Sequence, residues 1–238
     1  MSNTLNYYDA DGASPSLSIT TTSGNTLCVV VLTVWGGDAA SVTSATLDGE
    51  PGTKIGETLY AGGDESNITI FEFTTLPSAG SNTLAFGSTG TVFANVAVYE
   101  FTDKSSVESG SFQSDDLGNQ AVSPYVASHS RTSSAGKTIL FAASCADDAT
   151  NTAAMPVLSA NIDGISEVYR SGQLQCATGI DLDCANDPET YQATFSDSDM
   201  GGGSQGRITV ASVALVDIVN VDPELDTPQA DVTIQEGQ

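Results

Sequence analysis

The chain has 238 residues, 30 of them acidic and six basic, for a formal net charge of −24. A charge of that size repels phosphate backbones and anionic lipid headgroups. The basic residues Lys54, Lys104, Arg131, Lys137, Arg170 and Arg207 stand singly, so no basic stripe restores a nucleic-acid or membrane-surface role.

The longest apolar run, Leu27 to Leu32, falls far short of the roughly 20 residues a bilayer span needs. Self-repulsion of so many like charges is relieved by salt, which fits a saline habitat as well as it fits a merely soluble acidic surface.

From the N-terminus, Met1 to Asp9 lacks the basic and apolar regions of a signal peptide. The expectation is therefore no Sec export, with release by another route such as lysis. Residues 1–16 have no core pattern and read as an arm, with Tyr7 and Tyr8 as its candidate anchors.

Strands are expected at Leu17 to Thr22, Thr26 to Trp35, Val42 to Leu47, Asn67 to Thr74, Asn82 to Phe86 and Thr91 to Phe101. Thr26 to Trp35 is apolar on both faces and should be central. In Asn67 to Thr74 the alternation slips between Ile70 and Phe71, which suggests a wetter face and a bulge. Polar, Ser-rich residues 103–122 read as a crossover. Beyond them strands are expected at Thr138 to Cys145, Val157 to Ile162, Glu167 to Arg170, Tyr191 to Phe195 and Arg207 to Val219, followed by an acidic tail over 220–238.

The two sets of strands answer one another. Gly24 pairs with Gly136, Asp48 with Asp163 and Val96 with Ser212, at offsets of 112, 115 and 116 (136−24, 163−48, 212−96). Halves 17–102 and 123–219 should therefore form one antiparallel all-β sandwich over residues 17–219. Helical periodicity is absent.

Chemistry-bearing residues are few. Gly201-x-Gly203-x-x-Gly206 matches a dinucleotide fingerprint in form, but a strand follows it where the motif needs a helix N-terminus, so it reads as a turn. Asp181, Asp183, Asp187 and Glu189 crowd one loop, and clustered oxygen donors are what Ca²⁺ takes. Their spacing matches no known calcium loop, and a solvated turn is the other reading.

His129 lies among serines with no acid beside it in sequence, and no Gly-x-Ser-x-Gly elbow exists, so a surface or hydrogen-bonding role is expected. Two carboxylates at the right separation would suffice for a glycosidase, but nothing singles out a pair. Asn67-Ile68-Thr69 is a formal glycosylation acceptor.

Cys28 and Cys145 sit in apolar strands and read as buried thiols. Cys176 and Cys184 flank a polar stretch that a disulfide could close. Trp35, Tyr60, Tyr125, Tyr169 and Tyr191 fall near strand or loop ends, where aromatics serve as sugar platforms or as core and interface anchors.

Leu27-Cys28-Val29-Val30-Val31, Val42 to Gly49, Ile70-Phe71-Glu72-Phe73, Leu76 to Leu84, Val96 to Phe101 and Val213-Ala214-Leu215 together resemble a family of jelly-roll-like β-sandwich modules. These modules occur in tailed-phage virion proteins and secreted bacterial surface proteins. The resemblance implies an adhesive or structural module with no catalytic set and no required cofactor. It implies assembly with other virion proteins and with copies of itself at a virion surface, and the net charge sets nucleic acid and membrane aside as partners. A lectin-like carbohydrate-binding module is the alternative.

Overall fold

The structure, a computed structural model, describes residues 2–10, 16–36, 41–58, 65–89, 92–120, 124–146, 155–163, 166–171, 174–195 and 206–218. The expected acidic tail, the loop 201–205 and Tyr60 lie outside the described residues.

All regular structure among the described residues is β. In the first half the strands are β1 (Ser2–Ala10), β2 (Ser16–Thr21), β3 (Leu27–Gly36), β4 (Ser41–Leu47), β5 (Glu50–Pro51), β6 (Thr53–Thr58), β7 (Glu65–Phe73), β8 (Gly80–Thr89) and β9 (Val92–Phe101). The second half supplies β10 (Lys104–Val107), β11 (Gln113–Gln120), β12 (Tyr125–Arg131), β13 (Thr138–Ala146), β14 (Val157–Leu158), β15 (Ser166–Ser171), β16 (Leu174–Asp181), β17 (Glu189–Phe195) and β18 (Gly206–Asp217).

These strands build four sheets, and every pairing is antiparallel. The first half has an inner sheet in the order β1-β9-β3-β7-β6 and an outer sheet β2-β8-β4-β5. The second half has an inner sheet β10-β18-β13-β16-β15, with β11 also on β18, and an outer sheet β12-β17-β14. Strand for strand, β11-β18-β13-β16-β15 repeats β1-β9-β3-β7-β6, and β12-β17-β14 repeats β2-β8-β4. The related halves expected from the sequence are thus two sandwiches of similar winding.

Three cores separate the four layers. One, with Val30, Leu32, Phe71, Leu84 and Val96, fills the first sandwich. A second, with Phe141, Ala177, Tyr191, Phe195 and Val210, fills the other. The third joins the inner sheets back to back through Val29, Val31, Ile70, Tyr99, Leu140, Ile180 and Val213.

This stacking explains the hydrophobic patterns. A strand with sheets on both sides must be apolar throughout, so β3 sends Cys28, Val30 and Leu32 to one core and Leu27, Val29 and Val31 to another. Outer strands alternate, as β12 does with Tyr125, Ala127, His129 and Arg131 inward. Burying one such aliphatic side chain is worth about 1.5–3 kcal/mol, and the joining core holds its share from both halves.

Polar contacts pin the same seam. Ser66 Oγ donates to Ser144 Oγ at 2.8 Å, Val107 N donates to a Glu72 carboxylate oxygen at 2.7 Å, and the Phe112 ring sits where a Cβ on Gly56 would lie 2.4 Å from it. Glycine at position 56 is therefore what lets the segment after β10 close against β6.

Several expectations change. Ser2–Ala10, read as an arm, is an edge strand registered along β9. Residues 103–122 are not a bare crossover but supply β10 and β11, both on β18. The slip in β7 is no bulge, since its register with β3 is unbroken and both of its faces are buried. The irregularity lies on β6, between Lys54 and Gly56. Of the strand expected at Val157 to Ile162 only Val157–Leu158 forms. Leu174–Asp181, read as loop, is an interior strand of the second inner sheet.

Candidate functional site

That last strand decides the cysteines. Along β16, Thr178 and Ile180 face the joining core while Ala177 and Asp181 face the second sandwich, so Cys176 shares the face of Thr178. Cys184 packs in the second sandwich's core. The two thiols lie on opposite sides of one sheet, and all four cysteines are buried thiols in no disulfide. The disulfide expected between Cys176 and Cys184 is therefore not formed.

The acidic loop divides as well. Asp181 and Asp183 line a shallow pocket with Asp163, Glu189, Asn161 and Asn186. Asp187 turns away, its carboxylate accepting the Ser133 N–H at 2.7 Å. Within the pocket three of the four carboxylates are already engaged: Asp181 accepts Tyr191 OH at 2.9 Å and the Asp183 N–H at 3.3 Å, Asp163 accepts the Leu182 N–H, and Glu189 accepts both asparagine amides. Burial raises the Asp181 pKa above its ordinary value, against the pull of the Tyr191 hydrogen bond. These bonds shape the turn between β16 and β17. Among the described residues no group of three or more His, Cys, Asp or Glu side chains is placed to hold a metal ion.

The most organised polar cluster is one that sequence reading missed. A bulge between Asp116 and Gly118, with Gly118 at φ +67°, bends β11. On that strand Asp115 lies 2.6 Å from His129 Nδ1, and His129 Nε2 lies 2.9 Å from Ser212 Oγ on β18. Arg131 Nη1 donates to the same Oγ at 2.9 Å and to the Ser212 carbonyl at 3.1 Å. With Oγ taking the Arg131 hydrogen bond, the hydroxyl proton points to Nε2, and Nδ1–H donates to Asp115.

Burial lowers the His129 pKa, and the neighbouring Arg131 charge lowers it further, while the Asp115 bond and charge oppose the shift. The imidazole is thus held neutral against an acid and a serine in the order of a hydrolytic relay. Ser212 is nevertheless fully enclosed, at 0% exposure, so no acyl group can reach it. What the chain of bonds does is tie the outer sheet of the second half to its inner sheet.

The signal for this cluster was present in the alternation Tyr125-x-Ala127-x-His129-x-Arg131, which puts the imidazole and the guanidinium on the inward face. Asp115 was hidden by the reading of its segment as a crossover.

Outward, the faces are different in kind. On the second outer sheet Val126, Thr194 and Val157 form one row, Ser128 and Gln192 the next, and Ser130 and Thr190 a third. On the first outer sheet the outward rows pair Ser16 with Ala85, Ser18 with Thr83 and Thr20 with Ser81. None of these side chains is charged. Val126 and Val157 are 38% and 64% exposed, which gives the second face an apolar row that the first lacks.

Of the aromatic candidates, Tyr125 and Tyr191 are core residues of the second sandwich. Trp35 lies on β3 opposite Phe93 and Ser66, and Tyr7 and Tyr8 lie on β1 opposite Asn95 and Ala94. The side chains of these three fall outside the described set.

Compared with protein-family models, with curated proteins and with solved structures, the chain matches none. The fold and cluster geometry therefore define a class, an all-β protein of stacked antiparallel sheets, and no narrower family.

Proposed function

We propose that the chain is a non-enzymatic virion structural protein, a capsid decoration or other surface-exposed head or tail component of a tailed phage. The observation that carries this reading is the uncharged outer face of the β12-β17-β14 sheet with its exposed Val126 and Val157. A body of net charge −24 repels other acidic bodies and its own copies, so it can approach them closely only through a face without carboxylates. Interface centres are likewise depleted of charge and enriched in apolar area. This face docks on the particle, and the Ser/Thr rows of the opposite outer sheet point to solvent.

The winding adds support. In each half the chain passes between an inner and an outer sheet, with inner order β1-β9-β3-β7 over outer order β2-β8-β4-β5 in the first, an order that supports a jelly-roll-like reading. The carbohydrate-binding alternative loses two of its aromatics to the core.

The test adds purified chain to tailed-phage particles released by lysis of the host that carries the gene, and sediments them. Wild type is expected to pellet with particles, and Val126→Asp/Val157→Asp to lose about tenfold in bound fraction with its circular dichroism unchanged. Wild type that stays in the supernatant, and is missing from native particles, would overturn the reading.

A further inference from the structure

We infer that Arg131 is the floor of an oxyanion-binding site. Beside the buried cluster, a pocket of about 150 Å³ opens between the β10–β11 and β12–β13 connections, lined by Arg131, Lys137, Glu108, Ser109, Gly110 and Ser133 among others. Arg131 is 1% exposed, and no carboxylate pairs with it among the described residues. Its Nη1 is occupied by Ser212, while Nε is enclosed without a partner.

A buried guanidinium with an unmatched Nε is costly, because each desolvated donor without an acceptor forfeits a hydrogen bond. The Nε/Nη2 edge is the fork that a carboxylate, sulfate or phosphate accepts two parallel N–H bonds from. Here that edge belongs to a side chain lining a solvent-connected pocket.

The rest of the lining fits a single small anion. Lys137 supplies a second cation, and Glu108 holds it through both carboxylate oxygens at 2.9 and 2.7 Å, leaving the pocket one net positive charge from Arg131, Lys137 and Glu108. Gly110, at φ +71°, turns the loop with nothing within 4 Å of where a Cβ would be, and Ser109 and Ser133 complete the polar lining. On a surface otherwise so acidic, this site selects an oxyanion by its planar, two-oxygen geometry, whether a carboxylate from a small organic acid or an inorganic sulfate or phosphate.

Nitrogen-15 spectra of the arginine side chains of the full chain test this directly, since there are three arginines, Arg131, Arg170 and Arg207. Sodium acetate, sulfate and phosphate are titrated at ionic strength held constant with sodium chloride. A saturable shift of the Arg131 Nε–H signal is expected, with Arg170 and Arg207 unmoved. Response to acetate alone assigns a carboxylate ligand, and response to sulfate or phosphate an inorganic one.

Glu108→Gln removes the competing carboxylate and should tighten binding several-fold, whereas Lys137→Met should weaken it by about tenfold, opposite effects that a general loss of structure would not produce. An Arg131 signal that no oxyanion moves in wild type or in Glu108→Gln, or that moves alike in all three arginines, would overturn the site.

Discussion

Tyr99 and Thr178, 79 residues apart in the chain, share a 2.6 Å hydrogen bond between their hydroxyls inside the core that joins the two inner sheets. The bond spans the seam between halves, so it reports on that seam and on neither sandwich alone. Tyr99→Phe and Thr178→Val are each expected to lower stability. A double-mutant cycle by urea unfolding should give a coupling of about 1 kcal/mol, the usual net worth of a buried neutral hydrogen bond. Additive losses would mean the seam is not held there.

Gly24 and Gly136 open the equivalent strands β3 and β13 from positive φ, +82° and +72°, with nothing within 4 Å of either virtual Cβ. Alanine at each site should therefore cost about 1 kcal/mol from backbone strain alone. Similar losses at the two sites in chemical denaturation are the expected result. A negligible loss at either would show that its turn can relax to negative φ.

His129 gives the fold a pH dependence of known sign. Its folded-state pKa lies below the ordinary value because it is buried next to Arg131. The unfolded chain takes up this proton as pH falls through about 6.5, and the folded chain resists it. The contribution is thus complete above that pH and is lost as pH falls toward the lower folded-state value. Many carboxylates titrate further down, so the check is the difference between wild type and His129→Gln across pH 8 to 5. That difference should shrink on acidification, and a constant difference would contradict the buried neutral imidazole.

All four thiols are buried and in no disulfide, and burial, aided by Glu100, pushes the Cys28 pKa far above the usual thiol range. A disulfide-exchange reagent should find no fast-reacting thiol in the native protein and four in denaturant. The intact mass should equal that of the fully reduced chain. A mass lower by two hydrogens would restore the Cys176–Cys184 bridge.

The strands legible in the sequence were those whose surroundings write a simple pattern: doubly apolar β3, β13 and β18, and alternating β2, β8 and β17. The missed strands have side chains that answer to several environments at once. Cys176, Thr178 and Ile180 of β16 face one core and Ala177 and Asp181 another, with polar residues among them serving specific bonds such as Tyr191 to Asp181. No single-face periodicity survives that.

The repeat was visible in its glycines, but not the facing of the strands. Leu27 and Ile139 each stand three residues after their glycine, yet Leu27 faces the joining core and Ile139 the second sandwich's own core. A one-residue phase shift of that kind is invisible without the partner sheets. Of the Asp115–His129–Ser212 cluster only the inward facing of His129 was legible, in the alternation of β12, since its members meet only after three strands of two sheets have been placed.

The two sandwiches share a third core and so behave as one cooperative body. Each half carries a unique natural probe: Trp35 on β3 in the first, His129 on β12 in the second. Urea unfolding followed in one sample by Trp35 fluorescence and by the His129 ring proton resonances should give superimposable transitions with one midpoint and one slope. Two resolved midpoints, one for each half, would contradict it.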